Sequence, residues 1–110
     1  LDEISPYDKT NVVQLKNGEI SEITIDPNKL NVNAHNFKNL IGDDANFNAN
    51  KIIEISKGEN NDFAKAVCLN AAAGLIVAEK ESNFKDAFES TSNHILTGKV
   101  FEHLKNIQNV

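Results

Sequence analysis

The chain has 110 residues, 40% of them hydrophobic and 25% charged, with a net charge of −5. Those proportions suit one soluble domain with its own core and exclude intrinsic disorder. The longest apolar run, Ala71 to Ala78, is eight residues, far short of the roughly 20 that a membrane span needs. Cys68 is the single cysteine, so no intramolecular disulfide forms and a reducing, cytoplasmic setting is expected. All 11 basic residues are lysines. A net-negative chain without arginine lacks the dense basic surface and planar guanidinium forks that favour nucleic-acid binding.

The chain opens Leu1-Asp2-Glu3-Ile4-Ser5, with no basic and apolar regions of a secretory leader. No linker, repeat or low-complexity stretch divides it, so residues 1–110 are read as a single unit. Composition shifts near residue 43 from β-branched and turn-rich to alanine-rich. Before that point a hairpin is predicted over about 11–25, its turn at Lys16-Asn17-Gly18, because Asn-Gly supplies the positive φ angles of a type I′ turn. In the second strand Ile20 is expected to share one face with Ile23 or Ile25, with Glu19 and Glu22 on the other, and the one slip in the alternation is read as a bulge. Asp26-Pro27 predicts a cap and a first helical position, opening a short turn through Leu30. Phe37 to Ile41 forms a second apolar anchor, closed by Gly42.

A helical cluster is predicted over about 43–108. Asp43 or Asp44 caps a helix carrying Phe47, Ile52, Ile53 and Ile55 that ends at Gly58. Asp62 caps a second helix running to about Lys80. Ser82 caps a third, with Phe84, Ala87, Phe88, Thr91 and Ile95 at helical spacing. After Gly98 a last helix sets Val100, Phe101, Leu104 and Ile107 on one face. The fold class is therefore α+β, a β-hairpin packed on about four helices.

Few residues offer chemistry. Asp2-Glu3 is an acidic pair in an irregular segment beside Ser5, and two adjacent carboxylates suit a hard cation such as Mg²⁺. In the second helix Ala66, Asn70, Gly74 and Ala78 recur at a spacing of four and share a face. Gly74 inside a helix costs about 1 kcal/mol against alanine, so a close neighbour is expected to use the missing side chain. Asn70 on that face is expected to be a satisfied amide, and both residues are assigned structural roles. His35, His94 and His103 have no zinc-site spacing, and Cys68 among apolar residues reads as a core thiol. No glycine-rich phosphate loop, nucleophile elbow or triad is present.

Two segments taken together carry a family resemblance. Leu1-Asp2-Glu3-Ile4-Ser5, followed by Thr10-Asn11-Val12-Val13-Gln14-Leu15-Lys16-Asn17-Gly18-Glu19-Ile20, resembles the "G-x-DE-hydrophobic-S … V-x-EL-x-x-GE-I" stretch of the anthranilate phosphoribosyltransferases. Asp62-Phe63-Ala64-Lys65-Ala66-Val67-Cys68-Leu69-Asn70-Ala71-Ala72-Ala73 is similar to that family's "rdaVllNAaaaL" helix. The resemblance implies a larger α/β domain, of which this chain is the C-terminal part. It implies an enzyme that transfers a phosphoribosyl group from phosphoribosyl pyrophosphate to anthranilate, releasing pyrophosphate, in tryptophan biosynthesis. By the same resemblance Asp2 and Glu3 hold Mg²⁺ near the pyrophosphate, and the parent is a homodimer. The family's glycine-rich loop, its Lys-His-Gly-Asn segment and its anthranilate-contacting arginine do not occur here. The isolated chain is therefore expected to be inactive and to bind Mg²⁺ feebly. Two other expectations stand beside this one. The pyrimidine nucleoside phosphorylases share the architecture, although the Asp-Glu pair argues against them. A non-enzymatic interaction domain is the other.

Overall fold

A computed structural model describes residues 2–34 and 36–109. Strand β1 (Thr10–Lys16) pairs antiparallel with β2 (Glu19–Ile25) in an uninterrupted register from Lys16↔Glu19 to Thr10↔Ile25. The two-residue turn places Asn17 at φ 53° and Gly18 at φ 82°, the backbone that a type I′ turn demands. No bulge interrupts the ladder. Consequently Ile23 and Ile25 share a face with Val12 and Thr10, whereas Ile20 joins Leu15 and Val13 on the other. The expected common face of Ile20 with Ile23 or Ile25, and of Glu19 with Glu22, is thus corrected, because strict alternation along a regular strand separates each pair.

Asp26 accepts from the amide of Asn28 at 3.0 Å and starts a 3-10 turn over Pro27–Leu30. A second 3-10 turn covers Phe37–Leu40, capped by Asn36. It is a weaker anchor than expected, since Phe37 and Ile41 are exposed.

Helix α1 (Ala45–Ser56) is capped by Asp44, which accepts from the Phe47 amide at 2.8 Å. Helix α2 (Asp62–Val77) is capped by Asn61 rather than Asp62. Helix α3 (Phe84–Leu96) is capped by Asn83 rather than Ser82, its amide oxygen accepting from Lys85 and Asp86. Helix α4 (Lys99–Gln108) follows Gly98, which sits at φ 73°.

The core lies where α2 crosses α1 and α3. Ile55, Ala64, Cys68 and Ile95 form its buried centre, with Phe63, Phe88 and Val100 packed against them. Leu69, Ala72 and Ala87 are fully sealed. Small residues on the buried side of α2 let α3 come close, and Thr91 donates across the contact to the Cys68 carbonyl at 3.1 Å. The inner hairpin face, Val12, Ile23 and Ile25, looks toward Ala73 and Ile76 of α2 across a cavity of about 370 Å³. Gly74, by contrast, is exposed, and a side chain added there would meet nothing within 4 Å. The neighbour expected to use the missing side chain of Gly74 is therefore absent among the described residues; on the same stripe only the earlier positions are met, Asn70 lying against the Ile4 backbone.

Candidate functional site

Residues 2–9 cross the face of α2 before entering β1; one set of hydrogen bonds folds the segment on itself and two tie it to α2. Ser5 builds a tight polar turn: its hydroxyl accepts from the amides of Tyr7 and Asp8 at 3.1 and 3.2 Å. The Ser5 amide in turn donates to the Thr10 hydroxyl at 3.1 Å, which ties the turn to the start of β1. Pro6 is fully buried between them.

Asn70 supplies the second set. Its side-chain oxygen accepts from the Ile4 amide at 2.9 Å, and its nitrogen donates to the Ile4 carbonyl at 3.2 Å. The same nitrogen donates to the Ala66 carbonyl at 2.9 Å, one turn back on α2. The amide is therefore satisfied at both ends, and its oxygen and nitrogen are assigned by these partners.

The third set centres on Asp62. This carboxylate is buried and forms an ion pair with Lys65 at 3.0 Å. Asn39 donates to it at 2.8 Å, and the Tyr7 hydroxyl lies 3.1 Å from it and 2.5 Å from the Asn36 carbonyl. Lys65 also donates to the Asn33 carbonyl at 2.6 Å. Burial, reinforced by the negative charge of Asp62, pushes the Tyr7 phenol up to about 12. Proximity to Asp62 strongly favours the neutral phenol, which can still donate. Tyr7, Asp62 and Lys65 thus join the first segment, the second 3-10 turn and the start of α2 in one polar knot.

Within this frame Asp2 and Glu3 are exposed. Glu3 and Pro6 edge a cavity of about 330 Å³ whose far wall is Leu40, Phe63, Ala66 and Asn70. Among the described residues no three His, Cys, Asp or Glu side chains gather closely enough to hold a metal ion. A cation held by Asp2 and Glu3 would therefore complete its shell with water and substrate oxygens. Mg²⁺ binds in that way, retaining several waters and sharing one or two carboxylates with phosphates. The donor set fits it.

The other candidates lie apart. Cys68 is buried on the core side of α2, and burial pushes its thiol up, away from the thiolate a nucleophile needs. His94 and His103 stand on α3 and α4, and His35 lies outside the described residues. No helix among the described residues is long and apolar enough to cross a membrane. The sequence reading missed the knot of Tyr7, Asp62 and Lys65. The i,i+3 spacing of Asp62 and Lys65 was its only local signal.

Residues 1–101 match the glycosyl transferase family, a/b domain, and the chain belongs to that family. Among curated relatives it is 67% identical over its full 110 residues to the anthranilate phosphoribosyltransferase of Pelagibacter ubique, covering 33% of that protein. It is 32% identical over 109 residues to the anthranilate phosphoribosyltransferase of Idiomarina loihiensis, covering 98% of the chain and 32% of that protein. For the Azospirillum brasilense enzyme of the same name the identity is 36% over 112 residues, with 99% of the chain and 32% of that protein covered. The chain spans about a third of the length of these curated relatives.

Proposed function

We propose that this chain is part of an anthranilate phosphoribosyltransferase, which moves a phosphoribosyl group from phosphoribosyl pyrophosphate to the amine of anthranilate and releases pyrophosphate. The observation that carries the reading is 67% identity along the whole chain to a protein of that name. The presence of Asp2-Glu3 on a segment tethered to α2 supports it. The setting is cytoplasmic tryptophan biosynthesis, and the whole protein works as a homodimer.

In this reading Asp2 and Glu3 would hold Mg²⁺, a cation that leaves room for water and substrate phosphates beside one or two carboxylates. The cation would neutralise charge that develops on the leaving pyrophosphate. The chain's own residues set the stage for that step. Asn70 and the Ser5 turn fix the backbone on the C-terminal side of the two carboxylates. The Tyr7–Asp62–Lys65 knot fixes the loop to the start of α2. Alone, the 110 residues do not turn over, because they hold neither a phosphate-cradling glycine loop nor any arginine.

A chimera tests the proposal: this chain replaces the matching segment of the Pelagibacter ubique enzyme. Loss of anthranilate fluorescence with phosphoribosyl pyrophosphate is expected from the chimera, and not from the chimera carrying Asp2→Ala and Glu3→Ala. A folded chimera without that activity, or one that phosphorolyses pyrimidine nucleosides instead, overturns the reading.

A further inference from the structure

We infer that Asn70 is a positioning residue that sets the divalent-cation affinity of Asp2 and Glu3. The inference rests on the reading of those two carboxylates as a metal pair.

The geometry is that of a β-ladder made by one side chain. In an antiparallel pair, a residue exchanges both its N–H and its C=O with one partner. Asn70 does the same to Ile4 with its amide alone, accepting at 2.9 Å and donating at 3.2 Å. Ile4 directly follows Glu3, so its backbone is the anchor point from which both carboxylates are hung. The second amide proton goes to the Ala66 carbonyl at 2.9 Å, which holds the side chain itself against α2. Every donor of the amide is then in use, and the plane in which Ile4 is gripped is fixed by the helix rather than by the loop.

Only an amide of this length meets all three demands. A carboxylate at this position would accept from the Ile4 amide but donate to neither carbonyl, and it would add a third negative charge beside the pair. An aliphatic side chain would leave the Ile4 N–H and C=O with no partner on the helix. The bond spans 66 residues of sequence, so the tether orders a segment that has no secondary structure of its own. Asp2 and Glu3 meanwhile stay exposed and open to a ligand. A group that orients metal ligands without touching the metal is commonly worth 10–100-fold in affinity, roughly.

Mn²⁺ is the probe, added to the 110-residue chain and read by paramagnetic broadening of backbone amides and by the signal of free Mn²⁺. In the wild-type chain broadening centred on residues 2–5 and on the Asn70 side-chain amide is expected. Asn70→Ala and the closer-sized Asn70→Leu are expected to weaken Mn²⁺ binding about tenfold at a temperature where both remain folded by thermal melt. Ile4 amide exchange should accelerate in both. In the active chimera the same substitutions should raise the Mg²⁺ concentration needed for half-maximal rate about tenfold, with kcat at saturating Mg²⁺ retained. Asp2→Asn with Glu3→Gln separates the two readings. If that double variant leaves Mn²⁺ broadening unchanged, the metal pair is wrong and the inference falls with it. If the double variant abolishes broadening while both folded Asn70 variants bind as wild type, the metal pair stands and the role of Asn70 is overturned.

Discussion

In the helical cluster Leu69, Ala72 and Ala87 are sealed from solvent, whereas in the hairpin the outer-face residues Val13, Leu15 and Ile20 are 70–74% exposed. Ile25 is the one strand residue that is buried among those described. The cluster is thus held by side-chain packing between α2 and α3, with Thr91 bonding across it. The hairpin owes its shape to a turn and a ladder. Two strands alone are marginal in water, and here the inner face stands across a cavity from α2. Residues 2–9 connect the two regions: they run over α2 and then become β1. Their anchors on α2, Asn70 and Asp62, are what relate the acidic pair to the rigid half of the molecule.

The largest test of this contrast is Leu69→Ala, which opens a hole in the sealed face of α2. A loss of about 2–5 kcal/mol is expected in urea unfolding. Val13→Ala on the outer hairpin face should change stability by less than about 0.5 kcal/mol. Equal losses at the two sites would erase the distinction between a packed and a locally built region.

A pair of glycines sharpens it. Gly58 lies at φ +100°, and a side chain there would come within 2.9 Å of the Leu96 carbonyl oxygen. Gly18 lies at φ +82° with nothing within 4 Å. Both positions strain an alanine, but only Gly58 also faces fixed backbone. Gly58→Ala should cost about 2–3 kcal/mol and Gly18→Ala about 1 kcal/mol. Amide exchange in Gly18→Ala should accelerate within β1 and β2 and leave α2 and α3 protected.

The smallest effect at neutral pH concerns the tie between the regions. Tyr7 is the single tyrosine and the chain has no tryptophan, so near-ultraviolet absorbance reports its ionisation alone. The folded midpoint is expected at about 12, against 10.0 for the ordinary phenol. Between those values the unfolded chain releases a proton that the folded chain keeps, so the unfolded state gains as pH rises. The stability contributed by neutral Tyr7 is therefore present in full below pH 10.0 and lost by about 12. Tyr7→Phe should remove that part of the alkaline slope. A folded midpoint near the ordinary value would mean that Asp62 does not face the phenol.

Much of this was legible in local sequence, and the reason is range. Asn17-Gly18, Asp26-Pro27 and Asp44 act on backbone groups within three residues, so their turn and caps follow from residue type alone. The buried stripe Ala87, Thr91 and Ile95 of α3 follows from helical period in the same way. Local signals misled where two polar neighbours competed. At the start of α2, Asn61 took the cap because Asp62 turned inward to Lys65, Tyr7 and Asn39. At the start of α3, Asn83 sits one residue closer to the free amides than Ser82. Ile20 was assigned to the wrong face because register belongs to the pair of strands, and neither strand carries it alone.

The sequence by itself determined the elements, their caps within a residue and the acidic pair at the front of the chain. Tertiary structure alone decided that Asn70 grips Ile4, that Tyr7 meets Asp62, and that Gly74 looks outward. These are matters of which surfaces meet across 55 and 66 residues of chain. Such meetings depend on where the packed face of α2 points, and no window of neighbouring residues contains that information.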